Sequence, residues 1–281
     1  MLPFKVDLRD KVVVITGGGG VLCSAFAEAL AECSAKIAIL DINADAAKSI
    51  AERIIEKGGF AQGFEADCLN KESLEKAREE IIKAMGACDI LINGAGGNSP
   101  KGTTDNEQFM PGDLEKEIKT FFDLDPAGIS FVFDLNILSA VLTTQVFAKD
   151  MVKNERGNII NISSMNAFRP LTKIPAYSAA KAGVSNLTQW MSVHFAPSNI
   201  RVNAIAPGFF VTHQNRNLLF DESGNPTARS KKILSHTPMN RFGDPSDLIG
   251  TLLWLANDEA SGFVTGTVIP VDGGFAAYSG V

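Results

Sequence analysis

Seven short strand-like runs recur along the chain, at 11–16, 36–40, 61–66, 89–92, 158–162, 201–206 and 267–271. Between the early ones lie stretches with helical spacing of apolar residues, at 22–33, 43–57 and 71–85. A strand followed by a helix of that length cannot turn back as a hairpin. It returns across the sheet face, which makes neighbouring strands parallel. Such crossovers have one hand, so few topologies remain. The pattern predicts a single α/β domain over residues 1–281, a doubly wound parallel sheet with helices on both faces. A chain of 281 residues with 45% hydrophobic content can fill one such core. No repeat of about 20–50 residues and no low-complexity linker divides it. In this architecture ligands lie beyond the carboxyl ends of the strands.

The first of those ends is Thr16, followed by Gly17-Gly18-Gly19-Gly20 and a helix. Strand, glycine turn, helix is the Rossmann-type setting for a phosphate, because backbone N–H groups and the helix dipole face the anion. A flexible turn is the alternative, but four consecutive glycines exceed what closing a turn requires. The second strand ends in Asp41. A carboxylate there accepts hydrogen bonds from ribose hydroxyls and repels a 2′-phosphate, which favours NAD over NADP. The competing reading makes Asp41 the cap of the following helix, a task Asn43 can also perform.

Two segments interrupt the alternation. Residues 98–127 hold Pro100, Gly102, Pro111, Gly112 and Pro126, with a short helix expected at 113–122. Their aromatics Phe109, Phe121 and Phe122 argue for packing over disorder. Residues 209–239 are polar and loop-rich, with a helix near 227–235, and are expected to cover the site. Longer helices are expected over 129–153, over 174–197 and over 244–257, the last capped by Asp244 with Pro245 in its first turn.

Tyr177 and Lys181 stand four apart on the 174–197 helix, hence on one face. A phenol titrates near pH ~10. An ammonium held against it favours the phenolate and lowers that value toward neutrality. General acid–base catalysis needs that match. Ser164, just past the fifth strand, offers a hydroxyl to hold a carbonyl oxygen against the phenol. Alone, the pair would read as packing plus a solvated charge.

The net charge of −6 argues against a nucleic-acid or acidic-membrane surface. The start of the chain has no secretory h-region, and no uninterrupted apolar stretch approaches the ~20 residues a membrane span requires. Cys23, Cys33, Cys68 and Cys88 show no CxxC spacing. Cys23 and Cys33 share one helix about 15 Å apart, too far to bridge. They read as reduced thiols of a cytoplasmic protein. His194, His213 and His236 make no ligand pattern, so no metal is expected.

Taken together, these features resemble the short-chain dehydrogenase/reductase family over residues 12–274. The matching residues are Thr16-Gly17 with its glycine turn, Asp41, Asp67, Asn93-Gly94-Ala95-Gly96, Asn136, Ser164, Tyr177, Lys181, Pro207-Gly208 with Thr212, and Asp272-Gly273-Gly274. One departure stands out: Val21 and Cys23 occupy two glycine positions of the family's turn, and a side chain at Val21 would crowd a diphosphate there. Segments 96–102, 121–124, 164–170 and 207–212 are similar to one subgroup, the short-chain-type D-mannonate oxidoreductases or fructuronate reductases.

The resemblance implies an NAD(H)-dependent oxidoreductase that interconverts a sugar-acid alcohol and ketone, such as D-mannonate and D-fructuronate. Tyr177 would carry the proton, Lys181 would lower its pKa and bind the nicotinamide ribose, and Ser164 would orient the carbonyl. Asn136 would hold a water linking Lys181 to solvent. The nucleotide would contact Gly17, Gly19, Gly20, Val21, Leu22, Asp41, Asp67, Cys68, Asn93, Ala95, Gly96, Pro207, Gly208 and Thr212, besides Tyr177 and Lys181. A sugar acid needs a cation for its carboxylate: Arg169 is the first candidate, with Arg216 and Lys101 in the two irregular segments. Asn98, Asn166 and Gln214 could bond its hydroxyls. A homotetramer is also implied, with the apolar tail 275–281 docked on a neighbour. Two alternatives stay open: a neutral keto-sugar or polyol as substrate, or an NAD-binding protein without turnover.

Overall fold

The computed structural model describes residues 6–212 and 216–280. Its strands are β1 (Val12–Thr16), β2 (Lys36–Asp41), β3 (Phe60–Glu65), β4 (Ile90–Asn93), β5 (Gly157–Ile162), β6 (Ile200–Pro207) and β7 (Val268–Val271). They form one sheet in the order β3-β2-β1-β4-β5-β6-β7. Every pairing is parallel, as the strand–helix alternation predicts. The order reverses between β1 and β4, so a crevice opens at their carboxyl ends.

The longer helices are α1 (Val21–Glu32), α2 (Ala44–Glu56), α3 (Lys71–Ala84), α4 (Pro126–Phe133), α5 (Ser139–Lys153), α6 (Pro175–Phe195), a four-residue α7 (Arg216–Leu219), α8 (Ala228–Ser235) and α9 (Ser246–Ala256), followed by a four-residue α10 (Asp258–Ser261). Side chains alternate across each strand, so each feeds two cores. Val13, Ile15, Ile37 and Ile39 pack beneath Phe26, Ile54 and Leu252 of α1, α2 and α9. Val12, Val14, Leu40 and Leu91 pack against Leu74, Phe147 and Met191 of α3, α5 and α6. Strand β1 is buried along its whole length, as a central strand covered on both faces must be.

Two expected helices come out differently. The one expected at 129–153 begins earlier, because Asp125 accepts from Ala127 N at 2.9 Å and Pro126 takes the first turn. It is then opened by a π turn, Asp134–Leu138, which carries Asn136. Within the 28-residue segment Pro126–Lys153, one 18-residue window reaches mean hydropathy 1.5. That length and composition suffice to cross a membrane, although the sequence pattern suggested no such stretch. Half of that window is buried in the fold, and Asp150 of the same segment is paired with Arg78. The helix expected at 113–122 reduces to the one-turn pieces Asp113–Glu115 and Phe121–Asp123. There Asp113 accepts from Met110 N at 2.9 Å and from Lys116 at 2.8 Å, so the side chain competes with a helical ladder.

Segments 98–127 and 209–239 meet: Lys232 on α8 forms an ion pair with Glu107. Cys23, Cys33, Cys68 and Cys88 are all unpaired thiols.

Helix α2 lies directly on β3 at Gly63. A Cβ at that residue would stand 2.6 Å from the Ala47 carbonyl carbon and 2.7 Å from Lys48 N. Backbone cannot yield as a side-chain tip can, so Gly63→Ala is expected to lower the unfolding free energy by about 1–3 kcal/mol. Gly250, exposed on α9, has nothing within 4 Å of such an atom, and Gly250→Ala should raise stability by about 0.5–1 kcal/mol. Denaturant midpoints check the pair; equal midpoints would contradict the packing described.

Candidate active site

The crevice begins with a knot between the first and fourth strands. Thr16 Oγ1 accepts from Gly94 N at 3.1 Å and Ala95 N at 3.2 Å, and donates to Ile92 O at 3.4 Å. Gly17 has φ +62°, and a Cβ there would lie 3.0 Å from Ala95 Cα. Only glycine meets both conditions without strain. Gly20 ends the turn and stands at the N-terminus of α1 with no side-chain cap, so the helix presents its first N–H groups uncapped by any side chain.

Asp41 lies at the end of β2, and its two carboxylate oxygens accept from Gly19 N at 3.0 Å and Asn43 N at 2.9 Å. Asn43, not Asp41, caps α2, through Ala46 N at 3.1 Å. The competing reading of Asp41 as the cap is thereby removed. A cavity of about 470 Å³ runs from this carboxylate across Gly17, Gly19, Gly20, Val21 and Leu22 to Asp67, Cys68, Ala95 and Gly96. Asp67 is oriented by Leu69 N at 2.8 Å.

The departure from the family turn has a physical account. Cys23 points at the β4 turn, where a Cβ on Gly94 would lie 2.2 Å from its sulfur. Glycine at 94 and cysteine at 23 are therefore complementary in volume. Burial pushes the Cys23 and Cys68 thiols up to about 12, so both are neutral near pH 7. Val21 lines the cavity.

A second cavity of about 280 Å³ shares Leu22, Gly94, Gly96, Ile162 and Thr212 with the first. Its walls bring together Ser164, Tyr177 and Lys181 with Asn98, Pro207, Gly208 and Phe209. The Tyr177 ring and Lys181 Nζ do meet one turn apart, the nitrogen 5.7 Å from the ring centroid. Lys181 is buried and donates to the Ile162 carbonyl at 2.7 Å. Burial lowers its ammonium to about 8.

The expected lowering of the phenol is not seen. Burial pushes Tyr177 up, and the hydrogen bond with Ser164 pulls against it. The reason is that low polarity disfavours the phenolate, while the ammonium is committed to a backbone carbonyl. Ser164 itself is held by Asn166 N, which donates to its hydroxyl at 3.2 Å.

Asn136 is buried on the π turn, and its side chain is engaged with protein. Nδ2 donates to Gly97 O and Val132 O, both at 2.7 Å, and Oδ1 accepts from Gly97 N at 3.3 Å. A Cβ on Gly96 would lie 2.7 Å from that oxygen and 3.1 Å from Lys181 Nζ, so the two groups flank one glycine. Asn93 turns out to be a scaffold residue. Its amide is consumed by Asn161 at 2.8 Å, Thr144 at 3.1 Å and Thr143 at 2.5 Å, below the crevice floor. Its side chain is not available to a nucleotide.

The expected substrate residues divide. Asn98 lines the second cavity and donates to Thr103 at 3.0 Å. Asn166 is buried, and its amide oxygen has no partner among the described residues. Lys101 pairs with Asp125 at 3.6 Å, and Arg216 lies over the Phe220 ring at 5.7 Å. Arg169 is exposed and donates to Ala276 O at 3.1 Å. Lys181 is the one basic side chain on the cavity wall among the described residues. Gln214 falls outside the described residues. Sequence reasoning did not single out the wall formed by Phe209, nor the Thr16 knot. The aromatic pair after Pro207-Gly208 was the available signal for Phe209.

The short chain dehydrogenase family model matches residues 11–223. An uncharacterized oxidoreductase of Haemophilus influenzae is 57% identical over 275 residues, 98% of this chain and 96% of the relative. An uncharacterized oxidoreductase of Bacillus subtilis, UxuB, is 52% identical over 281 residues and the full length of both. A Haemophilus influenza structure, provisionally named a D-mannonate oxidoreductase and solved with bound NAD, superposes with TM-score 0.94 at 56% identity, covering 98% of each chain.

The buried ammonium has a consequence for stability. The folded value of about 8 lies below the ordinary 10.5. Between those values the unfolded chain binds more protons, so stability rises with pH across that window. Below pH ~8 the full cost is present, roughly 3 kcal/mol. Lys181→Met removes it and forfeits one hydrogen bond, so a net gain of about 1–2 kcal/mol is expected at pH 7. The gain should vanish toward pH ~10.5. Thermal unfolding at the two pH values checks this; a loss of stability at pH 7 would contradict it.

Proposed function

The chain belongs to the short-chain dehydrogenase family, and from that premise we propose that it is an NAD(H)-dependent oxidoreductase of a sugar acid. The pair D-mannonate and D-fructuronate is the proposed substrate and product. The observation that carries the reading is the convergence of Tyr177, Ser164 and Lys181 on one wall of a cleft continuous with the Asp41 cavity.

The fit to a dinucleotide rests on the chain's own groups. The glycine turn approaches Ala95 as closely as backbone allows, α1 offers an N-terminus without a side-chain cap, and Asp41 closes the far end. Asp41 would accept from ribose hydroxyls and repel a 2′-phosphate. When bound, the nicotinamide supplies the hydride chemistry. The name and bound NAD of the Haemophilus influenza structure support both cofactor and substrate class.

Tyr177 and Ser164 do the proton work. A carbonyl under reduction gains negative charge on oxygen, and two hydroxyl donors aimed at that oxygen stabilise it. The burial that raises the phenol keeps it protonated near neutrality, as a donor must be. In oxidation it would accept the alcohol proton as its own passes to the neutral amine of Lys181. Lys181, at about 8, titrates close enough to working pH to exchange protons one turn away. Asn136 holds the Gly97 loop against the π turn beside Lys181. Exposed apolar residues on α4 to α6 and the intervening π turn, among them Phe131, Leu138, Trp190 and Val193, support the homotetramer.

A neutral keto-sugar or polyol is the second reading. It is favoured by the engagement of Lys101 and Arg216 with protein groups outside the cavity wall. Binding without turnover is disfavoured by the joint presence of Ser164, Tyr177 and Lys181.

Loss of NADH absorbance on adding D-fructuronate, against D-fructose as the neutral control, tests the activity; a preference for fructose would select the second reading. Tyr177→Phe should lower kcat about 10²–10⁴-fold while NADH still binds, measured by fluorescence titration. Retention of most activity would refute the role. Asp41→Ala should cut the preference for NADH over NADPH at least tenfold, and an unchanged ratio of kcat/KM would remove Asp41 from the cofactor site.

A further inference from the structure

Residues 272–276 at the start of the C-terminal tail pack on their own chain, at the rim of the cleft. Asp272 accepts from Gly274 N at 2.9 Å and from Ala276 N at 2.7 Å, which folds the tail back. The Phe275 ring then meets Phe209 edge-on at 5.3 Å. Phe209 is part of the wall that carries Ser164 and Tyr177. One residue further, the Ala276 carbonyl accepts from Nε of Arg169 at 3.1 Å. The tail thus supports one wall of the cleft and fixes the plane of a guanidinium five residues beyond Ser164.

A guanidinium is a rigid fork of five N–H donors. With Nε committed to Ala276, both terminal amino groups lack partners among the described residues. A carboxylate meets two parallel N–H groups of such a fork far better than a single rotating ammonium. We propose that the tail is a specificity-determining element: the Ala276 carbonyl orients Arg169 so that its terminal amino groups receive the carboxylate of an acidic substrate at the cleft mouth. This rests on the sugar-acid reading above. Arg169 makes the contact, and Phe275 and Ala276 position it.

The test compares the full chain with a chain ending at Gly274, with Arg169→Ala, and with both changes together. KM and kcat are measured for NADH-dependent reduction of D-fructuronate and of D-fructose. Truncation should raise the KM for fructuronate at least tenfold, the loss expected for a charge-assisted pair, with kcat within about twofold. Fructose kinetics, which report only the loss of the Phe275–Phe209 contact, should move much less than those of fructuronate. Arg169→Ala in the truncated chain should add less than about twofold, because both changes remove one contact. In the full-length chain, Arg169→Lys should raise the fructuronate KM as truncation does, since lysine keeps the charge but lacks the Nε donor; this variant stands should truncation impair folding. Fully multiplicative losses, or a fructuronate KM unchanged by truncation, would overturn the tail's role alone. A wild-type enzyme with no preference for fructuronate would overturn the sugar-acid reading and this proposal together.

Discussion

One hydrogen bond from a buried ammonium ties the sheet to the cleft wall: Lys181 Nζ to the carbonyl of Ile162, the last residue of β5. It docks the first turns of α6 onto the strand end that delivers Ser164. It also places the phenol of Tyr177 over the same crevice, since residues four apart share a helix face. The neighbouring Ser163 hydroxyl donates to the Lys181 carbonyl at 3.2 Å and repeats the strand-to-helix link through a second pair of groups. An ammonium in that position is costly, and burial lowers it to about 8. The hydrogen bond to the Ile162 carbonyl offsets part of that cost.

The sheet frames this arrangement. Parallel strands on either side of β1 leave the crevice at the switch of strand order, and the Thr16 knot holds its floor. The inner network of Asn93, Asn161, Thr143, Thr144 and Thr188 lies directly under it. Buried amides in such a network rigidify the strand ends only while every partner is satisfied. Volume is matched as closely as polarity: Cys23 fills the space that Gly94 leaves open. The altered glycine turn is thus accommodated on the sheet side, and Gly17, Gly19 and Gly20 remain facing the cavity.

Strand–helix alternation and the four-residue spacing of Tyr177 and Lys181 made the fold and the meeting of these two side chains legible in the sequence. Both are local patterns, set by backbone periodicity. Directions set by distant partners were not legible. The orientation of Arg169 is one: its Nε is held by the Ala276 carbonyl, 107 positions away. Asn93 matched a family motif, yet its amide faces Asn161 and Thr144. The helix expected at 113–122 failed because Asp113 offers its carboxylate to nearby N–H groups in place of a ladder. The phenol's titration was misjudged for a related reason. Spacing put a cation beside Tyr177, but burial and the competing Ile162 carbonyl are tertiary facts.

The central claim is that Tyr177 and Ser164 together receive the oxygen of the reacting carbonyl. A crystal structure with NADH and D-fructuronate, or with an unreactive analogue, measures this directly. The account predicts the ketone oxygen within about 3 Å of both the Tyr177 and Ser164 hydroxyls. A ketone oxygen turned away from both, or a nucleotide lying outside the Asp41 cavity, would contradict it.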